Sequence, residues 1–413
     1  MTASRQLSIV EAFWKAMKNE QAAGAKRRPP PVVVEAAAAG RRLGEDGEVE
    51  FDVCICGGIL GVMLGLSLVM RGQRVCIVEK RALEGRRQEW NISRHDLEVL
   101  VRLGLLTAGE VSSCVVTQWE QDRIAFKGEP DDMYIEGALD LGVDPRRLIG
   151  LLKARYLGLG GTVLEHHMFQ KAHVYDDGVR VALKGFNVGG DADWNAGDMN
   201  RGSSSGDDEE GSGRGGSRDG SDSSDSSRSS GSGSSRLSVT CRLVVDCMGH
   251  YSPIVKQQRH GQPVEGMVIV VGGCMAAAET ENGTATEKDK ETVAPGCDLL
   301  VTIDDSQDDM QYFWETFPAE GGKSKTVYMF AYADADPARP SMIDIFDTYL
   351  SNLERYQGVP LEKIQWKRVL LGAFPCYSRG VPLKPAFDRV IQAGTLSCIV
   401  VSHRRLSSSS PTH

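Results

Sequence analysis

The fold of this chain is decided by residues 51–80, FDVCICGGILGVMLGLSLVMRGQRVCIVEK. The apolar run Val53–Cys56 predicts a buried parallel strand, because it is too short and too closely bounded by glycine to be a helix. An almost wholly apolar helix is expected from about Ile59 to Met70, and a second apolar strand over Arg74–Val78. The stretch therefore predicts a βαβ unit.

Glycines in the turn of such a unit are typical of dinucleotide binding. Gly57, Gly58 and Gly61 stand there. Gly58 would let the backbone approach a pyrophosphate, and the helix N-terminus offers free N–H groups and the positive end of its dipole. Gly61 and Gly65 would let the helix lie close on the strands. Glu79, 18 residues after Gly61, stands where a carboxylate accepts hydrogen bonds from an adenosine ribose.

The glycine fingerprint is incomplete, because Cys56 takes the first position of G-x-G-x-x-G. A purely structural βαβ unit is one alternative to nucleotide binding. A transmembrane dimer helix is another, since Gly57, Gly61 and Gly65 have small-xxx-small spacing. We exclude the membrane helix because the apolar run over 55–70 is shorter than the ~20 residues that a span needs.

The net charge and the cysteine spacing exclude some classes of protein. A formal net charge of −9 argues against a nucleic-acid binder that neutralises phosphates. The ten cysteines show no C-x-x-C pair and no His/Cys ligand spacing, so no metal site is expected. Most cysteines lie in apolar strands, which is typical of reduced thiols in an intracellular or organelle compartment, and a reactive cysteine is the alternative. These are Cys54, Cys56, Cys76, Cys247 and Cys274.

Two stretches lack the pattern of a folded domain. Residues 1–50 are predicted to be a disordered leader, and eight Lys/Arg against three Glu up to Arg42, with alanine runs, fit a plastid or mitochondrial transit segment. An unstructured leader without a specific role is the alternative. Residues 185–236 are almost entirely Gly, Ser, Asp, Glu and Arg, and cannot bury enough apolar surface to offset their ordering entropy. A disordered insertion at a β-hairpin tip is expected there.

Two further segments extend the nucleotide-binding lobe, which is expected over 51–184 and 237–265. Ser93 is a credible N-cap of a helix, and Arg94 at its start is placed to reach a pyrophosphate, with an ordinary surface arginine as the alternative. A strand ending at Asp246 leads through a sharp turn at Gly249 into a helix capped by Ser252.

A second lobe is expected over residues 266–386. Its strands would form a mostly antiparallel sheet, accompanied by one helix over Ser341–Glu354. The strands are predicted at Met267–Val271, Leu299–Ile303, Gln311–Phe317 and Thr326–Tyr332. Residues 387–413 are expected to be a truncated or atypical C-terminus.

The order of these motifs resembles a large FAD-dependent family that includes aromatic hydroxylases, geranylgeranyl reductases and lycopene cyclases. The segment from Asp246 to Ser252, DCMGHYS, is similar to the family's Asp-x-x-Gly-x-x-Ser turn, which contacts the flavin end of FAD. The segments GRRQEWNISR and SPIVKQ most resemble the sequences of plastid FAD/NAD(P)-binding oxidoreductases described as lycopene-cyclase-like. The resemblance covers about residues 51–394 without the insertion.

The resemblance implies a doubly wound, Rossmann-type α/β lobe for FAD and a β-sheet lobe for the substrate. FAD would lie extended between Glu79 at its adenosine end and Gly249 at its flavin end, with NADPH as reductant. The cofactor-binding residues would be Gly57, Gly58, Gly61, Glu79, Arg94, Asp246 and Gly249.

Residues 311–322, QYFWETFPAEGG, resemble two substrate-lobe strands of that family. One is the strand of the prenyl reductases, and the other is the Phe-Leu-Glu-Glu-Thr stretch of lycopene cyclases, whose acids protonate the polyene. Only Glu315 matches here, because Trp314 replaces the second acid. Glu315 is the candidate catalytic acid, since burial beside Trp314 and Phe317 would raise its pKa. A half-buried strand with one solvent-facing Glu is the alternative.

The C-terminus departs from the family pattern. The family places Gly-Asp after the strand that corresponds to Phe387–Ile391, where the Asp binds the ribityl chain. Here Thr395 follows Gly394, and a serine-rich tail without periodicity ends the chain. A chain with this tail is expected to bind FAD poorly.

The sequence therefore predicts an FAD-dependent oxidoreductase that transfers hydride to or from an apolar, isoprenoid or carotenoid, substrate. A non-redox, lycopene-cyclase-like enzyme with bound flavin is one alternative, and a catalytically degenerate FAD-fold module is another. A plastid location is expected, or otherwise a soluble intracellular one. Peripheral association with a membrane belongs to this expectation, and nucleic acid does not.

Overall fold

The computed structural model describes residues 3–23, 30–35, 42–43, 48–186, 236–260, 262, 264–277, 297–307, 309–377 and 386–394. Most of the expected insertion and the tail after Gly394 lie outside these ranges, and so do the predictions made for them.

The described helices alternate with strands in the first half of the chain and are sparse in the second. The helices are α1 (Ala3–Ala23), α2 (Gly58–Val69), α3 (Arg94–Arg102), α4 (Ala108–Ser112), α5 (Pro145–Gly158), α6 (Pro253–Gln258) and α7 (Met342–Gln357). The strands are β1 (Val33–Glu35), β2 (Phe51–Cys56), β3 (Val75–Val78), β4 (Trp90–Ile92), β5 (Val115–Gln118), β6 (Gln121–Ala125), β7 (Met133–Glu136), β8 (Leu141–Val143), β9 (Thr162–Leu164), β10 (His167–Val174), β11 (Val179–Gly185), β12 (Arg236–Asp246), β13 (Gly266–Ala277), β14 (Cys297–Val301), β15 (Gln311–Ala319), β16 (Ser324–Ala333), β17 (Ile364–Cys376) and β18 (Val390–Gln392).

An eight-stranded sheet forms the first lobe. Its order is β1-β10-β11-β12-β2-β3-β9, and β18 pairs with the C-terminal half of β12. Strands β9, β3, β2, β12 and β18 run parallel to one another, with Cys56 opposite both Val78 and Asp246. The carboxyl ends of β3, β2, β12 and β18 therefore lie along one edge of the sheet, where ligands of open α/β sheets bind.

Helix α2 packs closely on this sheet, as predicted from its glycines. A Cβ on Gly61 would lie 2.9 Å from Ile55 Cγ2, and one on Gly65 would lie 3.0 Å from Ile77 Cδ1. The apolar helix expected over 59–70 is confirmed as Gly58–Val69. The expected hairpin at the insertion is also confirmed, since β11 and β12 pair antiparallel up to Lys184 opposite Arg236.

A seven-stranded sheet forms the second lobe, in the order β17-β13-β16-β15-β14-β6-β7. It is antiparallel except for the β14–β6 pair, so the predicted antiparallel sheet is confirmed. Helices α1 and α7 cover one of its faces, where Trp14, Trp314 and Tyr349 are fully buried in one core. A small third sheet, in the order β4-β8-β5, lies beside these two.

The boundary expected between the lobes differs from the structure. Strands β6 and β7 fall within the range 51–184 expected for the nucleotide-binding lobe, but they extend the seven-stranded sheet. The reason is the parallel pairing of β6 along β14, with Asp122 opposite Cys297. The two lobes therefore exchange chain segments.

The N-terminal residues also differ from the unstructured leader that composition predicts. Residues 3–23 form helix α1, whose Val10, Phe13 and Trp14 are buried against the second sheet. The indole N–H of Trp14 donates to the Pro340 carbonyl at 2.8 Å. Strand β1 pairs parallel with β10 in the first sheet. Apolar side chains at helical spacing stabilise this segment, whereas composition had suggested a targeting leader.

None of the described helices is long and apolar enough to cross a bilayer.

Candidate functional site

The glycine turn, residues 57–61, leads from β2 into α2 at the carboxyl edge of the first sheet. Gly57 has φ 103° and provides no side-chain cap for α2. Five other helices do begin with a side-chain cap, from Ser93, Thr107, Asp144, Ser252 and Ser341. The first N–H groups of α2 have no acceptor within the helix, so they are suited to an anionic ligand.

Glu79 follows β3 and lies against this turn. Its carboxylate accepts hydrogen bonds from the N–H of Gly58 at 2.8 Å and the N–H of Arg81 at 3.1 Å. A Cβ on Gly58 would lie 2.4 Å from Leu83 Cδ1 and 3.0 Å from Glu79 Oε2. The missing side chain at Gly58 thus makes room for Glu79 and Leu83, a packing role that the sequence did not indicate.

The second turn of the site, called here the Asp246 turn (residues 246–252), follows β12. Asp246 is fully buried. Its carboxyl accepts from the Ser252 hydroxyl at 2.5 Å and from the Met248 N–H at 3.0 Å. Burial raises the pKa of Asp246 to about 6, although both hydrogen bonds oppose the shift. Ser252 in turn accepts from Ile254 and Val255, so it caps α6 as predicted.

The two turns are in direct contact. A Cβ on Gly57 would lie 2.4 Å from the carbonyl oxygen of Cys247, and the Cys247 N–H donates to Cys56 at 2.7 Å. Gly249 has φ 74° within a 3-10 turn over Gly249–Tyr251. The structure therefore brings together the predicted residues of the glycine turn, Glu79, Asp246 and Gly249.

The last described strand reaches the same place. After β18, the Ala393 N–H donates to the Asp246 carbonyl at 2.9 Å. Gly394 follows with φ 106°, and a Cβ there would lie 3.0 Å from Leu60 Cδ2 in the first turn of α2. The chain thus passes the glycine turn at the point where the sequence departs from the family pattern.

Arg94 is placed differently. It is the first residue of α3, after the predicted cap Ser93, whose Oγ accepts from Asp96. The exposed guanidinium of Arg94 donates to Gln118 Oε1 at 2.9 Å, and its N–H donates to Asp140 at 3.0 Å. Among the described residues, these polar contacts tie Arg94 to the β5 side of the small sheet and not to the glycine turn.

The second sheet has one face that none of the described helices covers, and we call it the aromatic face. Side chains on β15 alternate, so Trp314 points toward α7 while Phe313 points to the opposite side, where it packs against Phe330 and Tyr332. Tyr332 is 46% exposed. The members of the aromatic face are Phe313, Phe317, Tyr328, Phe330, Tyr332 and Phe374.

Glu315 shares this face, because it stands two residues from both Phe313 and Phe317. Its carboxylate accepts from the Asn91 amide at 3.3 Å. Burial raises the pKa of Glu315 to about 7, and the charge of Asp122 adds to the shift. The expected neighbour Trp314 is not beside it, since alternation along the strand places that ring on the other face.

Asp122 is a second acid near Glu315 that sequence reasoning missed. It is 3% exposed, and burial raises its pKa. One carboxylate oxygen accepts from the Trp119 indole at 2.8 Å, while the other has no partner in the described part of the chain. Trp119 stacks on Phe317 at 6.3 Å between ring centroids. Asp122 lies in a short strand outside every motif, and the only sequence signal is an acid within an alternating strand.

His250 was also missed, although it stands inside a quoted motif. Its ring lies 5.8 Å from that of Phe374, between ring centroids. Burial lowers the pKa of His250, and the charge of Arg259 adds to the shift. His250 thus connects the Asp246 turn with the aromatic face.

The described cysteines form no disulfide bond. Every described cysteine is a free thiol, and all but Cys247 are buried. In the described ranges, no group of three or more His, Cys, Asp or Glu side chains is placed to hold a metal ion.

No family model and no curated protein matches this sequence. Solved structures do match it. A geranylgeranyl bacteriochlorophyll reductase-like protein from Thermoplasma acidophilum aligns with a TM-score of 0.53 and 11% identity, over 84% of this chain and 71% of that chain. Aklavinone-11 hydroxylase in complex with FAD and aklavinone aligns with a TM-score of 0.53 and 14% identity, over 85% and 58%.

CmlS, a flavin-dependent halogenase, aligns with a TM-score of 0.52 and 16% identity, over 84% of this chain and 53% of that chain. This chain therefore spans little more than half the length of the hydroxylase and the halogenase. At these identities the likeness concerns the fold. The chain has the mixed α/β fold, with a parallel and an antiparallel sheet, of FAD-binding proteins of the aromatic-hydroxylase type.

Proposed function

We propose that this chain binds FAD and acts as an FAD-dependent oxidoreductase. The observation that carries the proposal is the order of features along one sheet edge. Glu79 follows β3, the uncapped glycine turn follows β2, and the Asp246 turn follows β12, on three adjacent strands. A dinucleotide laid along this edge would place its adenosine ribose at Glu79, its diphosphate over α2 and its other half beside Gly249.

The chain's residues fit this ligand. The Gly58 N–H at the start of α2 donates to Glu79, and the N–H groups that follow it in the first turn suit a diphosphate. The carboxylate of Glu79 suits ribose hydroxyls. Asp246 holds its turn rigid through Ser252 and Met248. FAD would supply the hydride chemistry when bound, while the chain binds and orients it. A contact from Arg94 to the diphosphate belongs to the proposal, and it requires the guanidinium to leave Gln118.

The proposed substrate is apolar and of the isoprenoid or carotenoid class, with NADPH as reductant. The aromatic face supports an apolar substrate, because the partly exposed rings of Phe313, Phe330 and Tyr332 lie on the side of the sheet that faces away from α1 and α7. The sequence resemblance supports the isoprenoid class, NADPH, a plastid location and peripheral contact with a membrane. The solved reductase-like structure shares the fold.

FAD uptake tests the proposal directly. We expect the purified chain, after reconstitution, to show flavin absorbance near about 450 nm. Glu79→Gln should weaken FAD binding by roughly tenfold, since it removes a charged acceptor. Glu84→Gln is the matched control, because Glu84 lies five residues away and pairs with Arg146 at the surface. A wild-type chain that stays colourless and takes up no FAD would refute the proposal.

A non-redox, cyclase-like enzyme with bound flavin is the second candidate function. The observation that favours it is Glu315, whose raised pKa and neighbour Asp122 suit a carboxyl that is partly protonated at neutral pH. Glu315→Gln would abolish cyclisation of a polyene such as lycopene if this function were correct. Intact cyclisation in that variant would remove Glu315 as the acid.

A catalytically degenerate FAD-fold module is the third candidate, and it rests on Thr395 after Gly394. A Thr395→Asp variant that binds FAD, while the unsubstituted chain does not, would support it.

A further inference from the structure

His250 lies where the two parts of the proposed site meet. The strand order β3-β2-β12 places Glu79 on one side of the glycine turn and the Asp246 turn on the other. A dinucleotide with its ribose at Glu79 must therefore extend its second half toward β12. Gly249 and His250 come three and four residues after the end of β12, in the 3-10 turn over Gly249–Tyr251.

The same side chain reaches the aromatic face. The His250 ring packs against Phe374 of β17, at 5.8 Å between centroids. Phe374 lies opposite Val268, which in turn lies opposite Tyr332, so these three side chains form one row across three strands. A molecule resting on that row would have His250 at its end, on the side of the flavin.

The imidazole of His250 is available for a ligand. Within the described residues, neither ring nitrogen has a hydrogen-bond partner, and the residue is partly buried. Its lowered pKa leaves the ring neutral at neutral pH, with one nitrogen as donor and one as acceptor. A pure hydrocarbon on this face would cover a polar group without pairing it, which is unfavourable.

We propose that His250 binds the oxygen of a substrate hydroxyl and accepts its proton, so that the substrate is an apolar alcohol. The inference rests on the proposed function. Breaking the C–H bond of the carbinol releases a hydride, which oxidised FAD would accept when bound. In this reaction the alcohol, and not NADPH, would be the reductant of the flavin. The O–H bond breaks, its proton goes to the free nitrogen of His250, and a carbonyl forms. The substrate is oxidised by two electrons and FAD is reduced by two.

Two matched probes test the binding part. Equilibrium dialysis would compare 2-naphthalenemethanol with 2-methylnaphthalene, which differ by one hydroxyl, on the full chain with and without FAD. We expect His250→Ala to lower the ratio of alcohol to hydrocarbon affinity by about tenfold. His250→Gln keeps a hydrogen-bond donor and an acceptor, so it should retain most of the preference for the alcohol over the hydrocarbon. His95→Ala, at an exposed position of α3, is the control and should leave the ratio unchanged.

The proton-transfer part is tested by flavin bleaching with the same alcohol under anaerobic conditions. His250→Gln should slow bleaching by roughly a hundredfold, because it binds the hydroxyl but takes no proton. An unchanged affinity ratio in His250→Ala, an unchanged bleaching rate in His250→Gln, or no binding of either probe to wild type would overturn the proposal. Failure of the chain to take up FAD would instead refute the proposed oxidoreductase function. The affinity ratio measured on the FAD-free chain would still test whether His250 binds the hydroxyl.

Discussion

Gly57 is a position where the local structure leaves no room for a side chain. A Cβ there would meet the Cys247 carbonyl at 2.4 Å, and φ is 103°. Gly72 has a similar φ of 80° but no atom within 4 Å of its Cβ position. We therefore expect Gly57→Ala to lower the free energy of unfolding by about 1–3 kcal/mol more than Gly72→Ala, which bears backbone strain alone. Urea unfolding of both variants measures the difference, and equal losses would contradict the contact.

Asp246 makes the stability of the fold depend on pH. Its pKa is raised from 3.8 to about 6, so the folded chain holds this proton more tightly than the unfolded chain does. The stabilisation by the proton is complete below pH 3.8 and is lost as the pH rises to about 6. This shift corresponds to about 3 kcal/mol.

Asp246→Asn should remove that dependence. Between pH 4 and pH 7, where most of this titration falls, we expect the unfolding free energy of the variant, relative to wild type, to rise by about 2 kcal/mol. Urea titrations at several pH values test this, with Asp131→Asn at an exposed position as control. A constant difference between Asp246→Asn and wild type across this range would show that the Asp246 carboxyl does not titrate as described.

Residues whose role depends on sequence neighbours could be predicted, and those that depend on distant strands could not. Ser93 and Ser252 cap helices that start at the next residue, so their spacing to the helix was enough. Asp122 lies beside Trp119, which stacks on the distant Phe317, and His250 packs against the distant Phe374. Without the β6–β14 pairing and the position of β17, neither could be assigned a site.

At the scale of elements, helix α1 shows how composition can conceal a packed segment. The Arg and Lys content of residues 1–42 resembles a transit peptide, yet in α1 Leu7, Val10, Trp14 and Met17 recur at helical spacing and pack in the second core. The helical spacing of these apolar residues was the sequence signal for a packed helix, but the prediction was based on the positive charges. The edge strand β1 carried no such signal, because three residues are too few for a pattern.

Trp14→Ala tests the packing of α1. Trp14 is fully buried and donates to Pro340, so its loss should lower the free energy of unfolding by about 3–5 kcal/mol. Lys15→Ala, at the exposed neighbouring position, should change it by less than about 0.5 kcal/mol. Chemical denaturation of both variants gives the comparison. Equal stability of Trp14→Ala and wild type would mean that α1 does not belong to the folded core.

The insertion between β11 and β12 permits a second test at this scale. The strands pair up to Lys184 opposite Arg236, so a short turn can join them. Replacing residues 187–235 by a tight hairpin loop should stabilise the chain by about 2 kcal/mol, because closing a loop of roughly 50 residues costs more entropy than closing one of about five. Thermal unfolding with and without the insertion measures the effect, and a loss of stability would show that the insertion packs on the fold.

At the scale of the whole molecule, the exchange of segments between lobes makes them depend on one another. Strands β6 and β7 leave the first lobe to complete the second sheet, and α1 and β1 connect the two lobes from the N-terminal side. We expect a single unfolding transition, with near-UV and far-UV circular dichroism coincident. Two separate transitions would show that the lobes unfold independently.

FAD should stabilise this single unit by mass action. At a free concentration of 100 times its dissociation constant, we expect a gain of about 2.7 kcal/mol in unfolding free energy. FMN is the matched ligand control, since it lacks the adenosine that Glu79 is proposed to hold, and it should stabilise the chain less. Equal stabilisation by FAD and FMN would show that the chain does not bind the adenosine half of FAD.

The late arrival of β18 has a consequence for synthesis of the protein. On the ribosome the glycine turn emerges early, but β18, which leads into Gly394 next to Leu60, emerges more than three hundred residues later. Until then the C-terminal half of β12 has an open edge on that side. A nascent chain stalled before β18 would therefore offer a chaperone an unpaired strand edge next to an unfinished ligand cleft.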